Sequence, residues 1–375
     1  MSVYIIAEAG VNHNGSSDLA FELIDVAADA GADAVKFQTF KADEMITVDT
    51  GKASYQQSNT NPIETQFAML KKLELPFELH FRLQEHANNR GIDFLSTAFD
   101  FKSLDFLLSD LGLKTIKISS GELTNHPLLY AHAIKGINMI LSTGMAEIDE
   151  IRQSLSVMVF GLMSYNGYNA RPSINEFKRC FDSEEGQRLL KDHVTLLHCT
   201  SEYPTKLGNV NMRAMNALKE EFFLPVGYSD HTLSTDVAAV AVASGATILE
   251  KHFTIDTALD GPDHAMSLNP NELQEYVQCA RQAELILGDR IKTLTSGELK
   301  NRTIGRKSVT AIKNINKGDV FSSSNIGFKR TKKNGISPAY YWNILGEVAA
   351  CNIETDEVLM AEQVVELELT NEKIT

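Results

Sequence analysis

Two histidines in residues 227–254, GYSDHTLSTDVAAVAVASGATILEKHFT, each follow a short apolar run. His231 and His252 are separated by about one strand, loop and helix unit, which predicts that they end two successive strands and face one point. Neutral imidazoles are good ligands for a divalent transition metal, and Glu8 offers a carboxylate nearby. The spacing therefore predicts a metal site. The alternative is that each histidine is a hydrogen-bonded core residue.

Two lysines form a second group with short hydroxyl side chains. Lys36 lies in VKFQTF and Lys117 in KTIKISS, each toward the end of an apolar run. The hydroxyls expected beside them are those of Thr97, Ser120, Ser142 and Ser229. Ammonium groups interleaved with hydroxyls suit a phosphate or carboxylate, so the group predicts a small anionic substrate. In the alternative, each lysine is paired with a structural carboxylate such as Glu8 or Glu122.

The elements that must position these residues are eight β-rich runs that alternate with helix-like segments. The runs are residues 3–9, 33–40, 92–99, 114–120, 138–144, 194–200, 225–230 and 247–254. This alternation predicts an α/β fold, a parallel (β/α)8 TIM barrel. A doubly wound open sheet is the alternative, but no G-x-G-x-x-G follows the first run and no P-loop occurs.

Every predicted strand finishes in polar or ionisable residues. They are Glu8 and Asn12; Lys36 and Gln38; Ser96 and Thr97; Lys117, Ser119, Ser120 and Glu122; Ser142 and Thr143; His198, Thr200, Ser201 and Tyr203; Ser229 and His231; and Glu250 and His252. Asp263 follows a Gly-Pro turn after the eighth strand and is expected to reach the same place. Buried polar groups need partners, so a common ligand in the barrel mouth is the economical explanation.

The pattern changes after the last barrel helix. Residues 1–290 are predicted to form the barrel, residues 291–300 a polar linker, and residues 301–375 a small domain of short strands with Gly, Asn and Ser turns. Two connections, 41–77 and 162–193, are long for such units and are expected to be surface excursions near the site or at an interface.

The amino-acid composition limits which classes of partner the protein is expected to bind. The 35 Lys and Arg residues against 49 Asp and Glu residues give a net charge of -14, which argues against nucleic acid or an anionic membrane as partner. The sequence shows neither a secretory signal pattern nor a long uncharged apolar run, so a cytoplasmic protein is expected. The four cysteines are widely scattered, which predicts free thiols rather than disulfides.

Eight motifs resemble, in order along the chain, those of the sialic acid synthase family. They are AEAGVNHNG, VKFQTF, KISSGE, LSTGM, LLHCTSEYPT, GYSDHT, LEKHFT and GPDHAMSLNP. The tail from about residue 305 to 366 resembles the antifreeze-like (SAF) domain of that family. The resemblance implies condensation of phosphoenolpyruvate with an N-acylated mannose-type aldose, which gives a nine-carbon 2-keto acid and phosphate. It also implies a divalent metal, Mn²⁺ in the first place, with Mg²⁺ and Co²⁺ as alternatives.

The same resemblance implies roles for individual residues, with Glu8, Lys117 and Glu122 as the catalytic ones. His231 and His252 would bind the metal, and Glu8 would orient or deprotonate the attacking water. The residues implied to bind phosphoenolpyruvate are Lys36, Thr97, Lys117, Ser120, Ser142 and Ser229. The implied sugar contacts are Gln38, Glu122, Tyr203 and Asp263, and Ser201 stands where many members have Asn. Arg330 would reach into the partner subunit's barrel, which implies a homodimer.

The form SEYP, together with NVNMRAM, GPDHAMSL and NGIS, looks most like the legionaminic acid synthases. That branch takes 2,4-diacetamido-2,4,6-trideoxymannose. Glu202 is expected to accept a hydrogen bond from its additional amide, and the alternative is that Glu202 faces solvent. The alternatives are an N-acetylneuraminic acid synthase that takes N-acetylmannosamine, a metal-dependent aldolase that uses free pyruvate, and a non-catalytic sugar- or ice-binding protein.

Overall fold

The computed structural model describes residues 2–52, 57, 59–60 and 63–366. Eight parallel strands close into a barrel in chain order, and β1 pairs with β8. The strands are β1 Tyr4–Gly10, β2 Ala34–Thr39, β3 Asp93–Ala98, β4 Thr115–Ile118, β5 Asn138–Ser142, β6 Val194–Cys199, β7 Val226–Asp230 and β8 Ile248–His252. The predicted (β/α)8 barrel is confirmed, and each strand begins and ends within two residues of its predicted range.

Helices connect and surround the strands. Those of the barrel part are α1 Ser17–Asp29, α2 Ala42–Met45, α3 Gln66–Leu73, α4 Phe77–Asn89, α5 Phe101–Asp105, α6 His126–Ala133, α7 Ile148–Tyr165, α8 Ile174–Phe181, α9 Glu184–His193, α10 Ala214–Phe222, α11 Val237–Ala243 and α12 Pro270–Leu287. A π-helical turn, Phe106–Asp110, continues α5. No helix in the described part of the chain is long and apolar enough to cross a membrane.

Local sequence signals account for where the helices begin and end. Asn269 caps α12 and forms a capping box with Glu272, and Pro270 occupies the first turn, where its missing N–H costs nothing. Gly288 follows the helix with a φ of +58°, a conformation that glycine adopts without strain. The helix therefore stops at Leu287.

Two apolar layers hold the barrel together. The larger lies between the strands and the surrounding helices and includes Ile5, Leu23, Phe37 and Leu249. The smaller fills the barrel interior with Ile6, Ala34, Leu95, Ile140 and Leu197. Because side chains alternate along a strand, residues two positions beyond this inner layer also point into the barrel, nearer its mouth.

The chain divides into two compact units, Met1–Gly288 and Asp289–Thr375. The second unit contains α13 Ser296–Gly305, a two-stranded antiparallel sheet of β9 Lys307–Ala311 and β10 Ile326–Arg330, and α14 Tyr341–Ile344. Its own core includes Val309, Phe321, Ile344 and Leu359. The part predicted as a linker, residues 291–300, contains the first half of α13, which Thr295 caps.

The two long connections differ. The first contains α2 and α3, which pack around a small apolar cluster with Val11, Phe40 and Leu70; its residues 53–56, 58 and 61–62 lie outside the described part. The second, 162–193, extends α7 and adds α8 and α9, which pack against α7 on the outside of the barrel. Since α9 leads directly into the first residue of β6, it ends at the opposite end of the barrel from the mouth. The part of the expectation that places this connection near the site is wrong, and its location at an interface stays a prediction.

Candidate active site

A polar layer covers the apolar interior at the carboxyl ends of the strands. Two positions beyond Ile6, Ala34, Leu95 and Ile140 stand Glu8, Lys36, Thr97 and Ser142, all of them at most 3% exposed. The strand register brings them side by side. Glu8 is opposite Lys36 on one side and His252 on the other, and Thr97 is opposite both Gln38 and Lys117. The mouth is therefore built from strand residues, the most rigid part of a barrel.

Two lysines and two carboxylates form a buried charge cluster in this layer. The Lys36 ammonium lies 2.6 Å from a Glu8 carboxylate oxygen and 3.6 Å from Glu250, and it donates to the Thr97 hydroxyl at 3.3 Å. The Lys117 ammonium lies 3.6 Å from Glu250. Ser229 donates a 2.8 Å hydrogen bond to Glu250. Both lysines thus share Glu250 as counter-ion.

The charges in this cluster shift one another's protonation. Burial would raise the pKa of Glu250, but the Lys117 and Lys36 ammonium groups outweigh it and lower that pKa to about 2. Burial would lower the pKa of Lys36, but Glu250 and Glu8 raise it. Lys117 has a lowered pKa because of burial, and Lys36 adds to the effect. Glu250 is therefore ionised at neutral pH and Lys36 is charged, which gives a polar pocket of fixed sign pattern.

His231 and His252 lie side by side at the ends of β7 and β8. Their ring centroids are 5.6 Å apart, and the Tyr203 ring lies 4.3 Å from that of His231. The Nδ1 of His231 is 2.7 Å from the Thr200 carbonyl oxygen, so it donates and leaves Nε2 as the basic nitrogen. Burial lowers the pKa of His231 to about 4 and that of His252 well below its usual value. Both rings are neutral at physiological pH.

These two rings fit a divalent metal. A metal-bound histidine commonly donates its other ring N–H to a backbone carbonyl, as His231 does to Thr200. The Nδ1 of His252 has no hydrogen-bond partner among the described residues. No set of three His, Cys, Asp or Glu residues within the described ranges is arranged to hold an ion. His231 and His252 would be the residues that hold the ion.

The hydroxyl groups form a separate wall. Ser120 and Ser201 are 3.3 Å apart at their oxygens, and Ser142 contacts the Cys199 thiol. Gly144 lies against this wall, because a Cβ there would be 2.4 Å from the Ser201 oxygen and 2.8 Å from the Cys199 sulfur. A larger residue at 144 would push the hydroxyls apart.

Gln38 and Asp263 adjoin Glu8. Gln38 donates a 3.1 Å hydrogen bond to Glu8, and a Cβ on Gly10 would lie 3.3 Å from both and 3.7 Å from the Asp263 carboxylate. Gly10 has a φ of +55°, so this close approach depends on glycine. Burial, with Glu8 adding to it, raises the pKa of Asp263 to about 7.

Two other predicted residues make hydrogen bonds within their own turns and loops, and a third belongs to the second unit. Glu122 is in the turn after β4 and accepts a 2.7 Å hydrogen bond from Asn125. Glu202 accepts a 2.8 Å hydrogen bond from Asn209 of its own loop, so its carboxylate already has a donor. Arg330 is exposed at the end of β10, in the second unit, and its Nε donates to the Gly305 carbonyl at 3.1 Å.

Glu250 is the residue that sequence reasoning missed. It stands among the polar strand ends, but no role was assigned to it. Its place two residues before His252, on the same face of β8, was the available signal. That it is the shared partner of Lys36 and Lys117 follows only from the three-dimensional arrangement.

The barrel and the cluster of lysines and carboxylates in its mouth are typical of a (β/α)8-barrel enzyme. The chain belongs to the NeuB family, whose model matches residues 23–292, and residues 306–365 match the SAF domain. It is 43% identical to an N,N'-diacetyllegionaminic acid synthase of Legionella pneumophila over 97% of this chain and 95% of that protein. It is 45% identical to a protein of the same name from Campylobacter jejuni over 95% of this chain and 98% of that protein.

A solved structure has the same fold. The N-acetylneuraminic acid (sialic acid) synthetase of Leptospira borgpetersenii, in complex with citrate, superposes with a TM-score of 0.63 and 31% identity over 80% of this chain and 90% of that chain. The predicted membership of the sialic acid synthase family, and the antifreeze-like C-terminal domain, are confirmed.

Proposed function

We propose that this chain condenses phosphoenolpyruvate with 2,4-diacetamido-2,4,6-trideoxymannose to give N,N'-diacetyllegionaminic acid and phosphate. The observation that carries the proposal is the identity of 43% and 45% with two proteins named for that product, over at least 95% of this chain. Identity with the N-acetylneuraminic acid synthetase is 31%. The same reaction on N-acetylmannosamine is the second candidate.

The charge cluster supports binding of phosphoenolpyruvate. Lys36 and Lys117 offer ammonium groups, and Thr97, Ser120, Ser142 and Ser229 offer hydroxyls, to the carboxylate and phosphate of the substrate. Glu250 holds the two ammonium groups at fixed positions in the free protein. Fixed donors lose little freedom when the substrate binds, so they hold the enol in register for reaction.

His231 and His252 would hold a divalent metal, Mn²⁺ by preference and Mg²⁺ or Co²⁺ otherwise. Bound there, the metal supplies Lewis acidity toward the aldehyde oxygen of the sugar. The neutral rings are ready to bind an ion without losing a proton. The hydrogen bond from His231 to Thr200 keeps one ring nitrogen facing the mouth.

The bond changes need no side-chain nucleophile. The methylene carbon of phosphoenolpyruvate attacks the aldehyde carbon, and the aldehyde oxygen takes a proton. Water, oriented and deprotonated by Glu8, adds to the former enol carbon. The proton that Glu8 takes from water is the one that the aldehyde oxygen receives. The added hydroxyl then gives up its remaining proton to become the keto oxygen, and phosphate leaves with the C–O electron pair, takes up that proton, and is stabilised by the two lysines. Glu8 suits this role because burial raises its pKa, which favours its taking a proton, while Gln38 and Lys36 hold its two oxygens in place.

The sugar would bind above this layer, at Gln38, Glu122, Ser201, Tyr203 and Asp263. Glu202 is a weaker candidate for reading the additional amide, because Asn209 already donates to it. In addition, we propose a homodimer in which Arg330 enters the partner subunit's barrel. Its side chain is exposed on its own unit, as such a contact requires.

Phosphate release from phosphoenolpyruvate with a panel of N-acetylated aldoses tests the proposal. We expect kcat/KM for the diacetamido sugar to exceed that for N-acetylmannosamine by about 10-fold to 100-fold. A preference for N-acetylmannosamine would assign the chain to N-acetylneuraminic acid synthesis. Turnover of free pyruvate would indicate an aldolase, and absence of any turnover a binding protein.

A further inference from the structure

A buried ion pair lies directly behind the two histidines. Asp230 precedes His231 and Lys251 precedes His252, and the two are opposite each other in the register of β7 and β8. Because side chains alternate, Ser229 and Glu250 point into the barrel, whereas Asp230 and Lys251 point out toward the helices. There their side chains are 0% and 1% exposed, and their charged atoms are 3.1 Å apart.

The pair grips the residue that follows His231. An Asp230 oxygen accepts a 2.8 Å hydrogen bond from the Thr232 N–H, and the Lys251 ammonium donates to the Thr232 carbonyl. Both polar groups of the Thr232 backbone are therefore tied to the pair. The Lys251 ammonium also lies 5.4 Å from the Tyr276 ring centroid, which encloses it from the side of α12.

Stability alone does not explain such a pair. The free energy needed to remove two charges from water offsets much of the attraction between them. Apolar residues of similar size therefore often stabilise a protein equally well. What a buried pair adds is a fixed geometry. Here that geometry joins the strand that ends in His252 to the turn that carries His231.

We propose that Asp230 and Lys251 form a positioning clamp that holds His231 and His252 at the spacing needed to bind a metal. The clamp acts from outside the barrel and touches neither metal nor substrate. It fixes Thr232, and through it His231, relative to β8. The inference rests on the proposed metal site and adds residues to which the proposed reaction gives no part.

The test separates positioning from folding. Asp230→Asn combined with Lys251→Met removes both charges, keeps the side-chain lengths, and leaves an acceptor for the Thr232 N–H. We expect an unfolding midpoint close to that of the unsubstituted protein, because no buried charge is left unpaired. We expect Mn²⁺ affinity to fall by about 10-fold to 100-fold, the usual effect of losing a group that orients a metal ligand.

Affinity is measured from the electron paramagnetic resonance signal of free Mn²⁺, without substrate. A matched control is Asp33→Asn with Arg281→Met, which removes a 2.6 Å ion pair between α12 and the start of β2, and it should leave Mn²⁺ affinity unchanged. If the clamp double variant does not fold, Asp230→Asn with Lys251→Gln replaces it, because this pair also leaves no buried charge unpaired and the shorter Gln withdraws the donor from the Thr232 carbonyl; the same weakening is expected.

The variants His231→Ala and His252→Ala distinguish the two ways of failing. If they bind Mn²⁺ as tightly as the unsubstituted protein, the metal site itself is wrong, and the clamp with it. If they lose the ion while the clamp variants keep normal affinity, the metal site stands and the clamp is overturned.

Discussion

Ser229 donates a 2.8 Å hydrogen bond to Glu250, so the end of one strand fixes the carboxylate of the next. That carboxylate lies 3.6 Å from each of the two lysine ammonium groups. A fixed anion thus already occupies the cationic surface to which we propose that an anionic substrate binds.

Glu250→Gln should destabilise the free protein and strengthen its response to phosphoenolpyruvate. Removing one partner from a buried charge cluster costs about 3 kcal/mol, and the substrate's negative charge should restore part of this. Thermal unfolding with and without phosphoenolpyruvate measures both effects. The control Glu44→Gln loses an exposed ion pair with Lys102 and should change stability by less than about 1 kcal/mol. If phosphoenolpyruvate raised the unfolding temperature equally in the unsubstituted protein, Glu250→Gln and Glu44→Gln, Glu250 would not be the anion that the substrate replaces.

Removal of the metal, or of either mouth histidine, should abolish turnover. Dialysis against a chelator should inactivate the protein, and added Mn²⁺ should restore it. His231→Ala and His252→Ala should each lower kcat/KM by about 100-fold or more, since even residues that only orient a ligand cost 10-fold to 100-fold. His86→Ala, at a histidine that contacts Asp25 on α1, is the control. Normal turnover after chelation would show that no metal is needed.

Asp263 should make stability fall as pH rises. Its folded-state pKa of about 7 lies above the ordinary 3.8, so the folded protein binds the extra proton between these values. Stability is therefore greatest below the lower value and is lost as pH rises toward the higher one. Between about pH 5 and about pH 8, the free energy of unfolding of Asp263→Asn should fall by about 2 kcal/mol less than that of the unsubstituted protein. Urea unfolding measures this, with the exposed Asp260→Asn as control; parallel pH profiles would refute the shift.

Phosphate should leave by cleavage of the C–O bond. Phosphoenolpyruvate labelled with heavy oxygen at the bridging position should deliver the label to inorganic phosphate, because water attacks the enol carbon rather than phosphorus. Mass spectrometry of both products locates the label. Its retention in the keto acid would mean that Lys36, Lys117 and Glu8 act in a different reaction.

Arg330 should act on the partner subunit. Arg330→Ala and Lys117→Ala chains should each be inactive, and mixing them should restore some activity, because a hybrid dimer combines an intact barrel with an intact Arg330. The control is Lys333→Ala, which removes a different basic residue of the same FKRTKKNG segment; this variant should be active without mixing. No recovery after verified subunit exchange would argue against a shared site.

The fold could be predicted because each strand is a short apolar run bounded by polar residues, and this signal is local. The grouping of the strand ends also followed, since a barrel brings all carboxyl ends to one mouth. The role of Glu250 could not be predicted in this way. It depends on which side chains from β2 and β4 extend across the barrel to β8, and sequence spacing does not determine that.

Two smaller differences between the sequence-based predictions and the structure have local causes. Glu202 was expected to await a substrate amide, but the loop returns Asn209 to it seven residues later. The connection 162–193 is long for a βα unit, which predicts a surface excursion near the site or at an interface. Its apolar residues instead form helices that bury themselves against α7, as the buried Cys180, Leu189 and Leu190 show.

Five of the six side chains proposed to bind the anion project from strands, whereas Ser120, Glu122, Tyr203 and Asp263 lie in turns and loops beyond the strand ends. Strands are held by neighbours on both sides, and loops tolerate replacement. Descendants of one ancestral barrel could therefore exchange one aldose for another by altering loops while inheriting the enol phosphate chemistry intact. Because different parts of the barrel carry the two functions, the sugar specificity can change while the fold stays the same. This is consistent with relatives of one fold that are named for different nine-carbon acids.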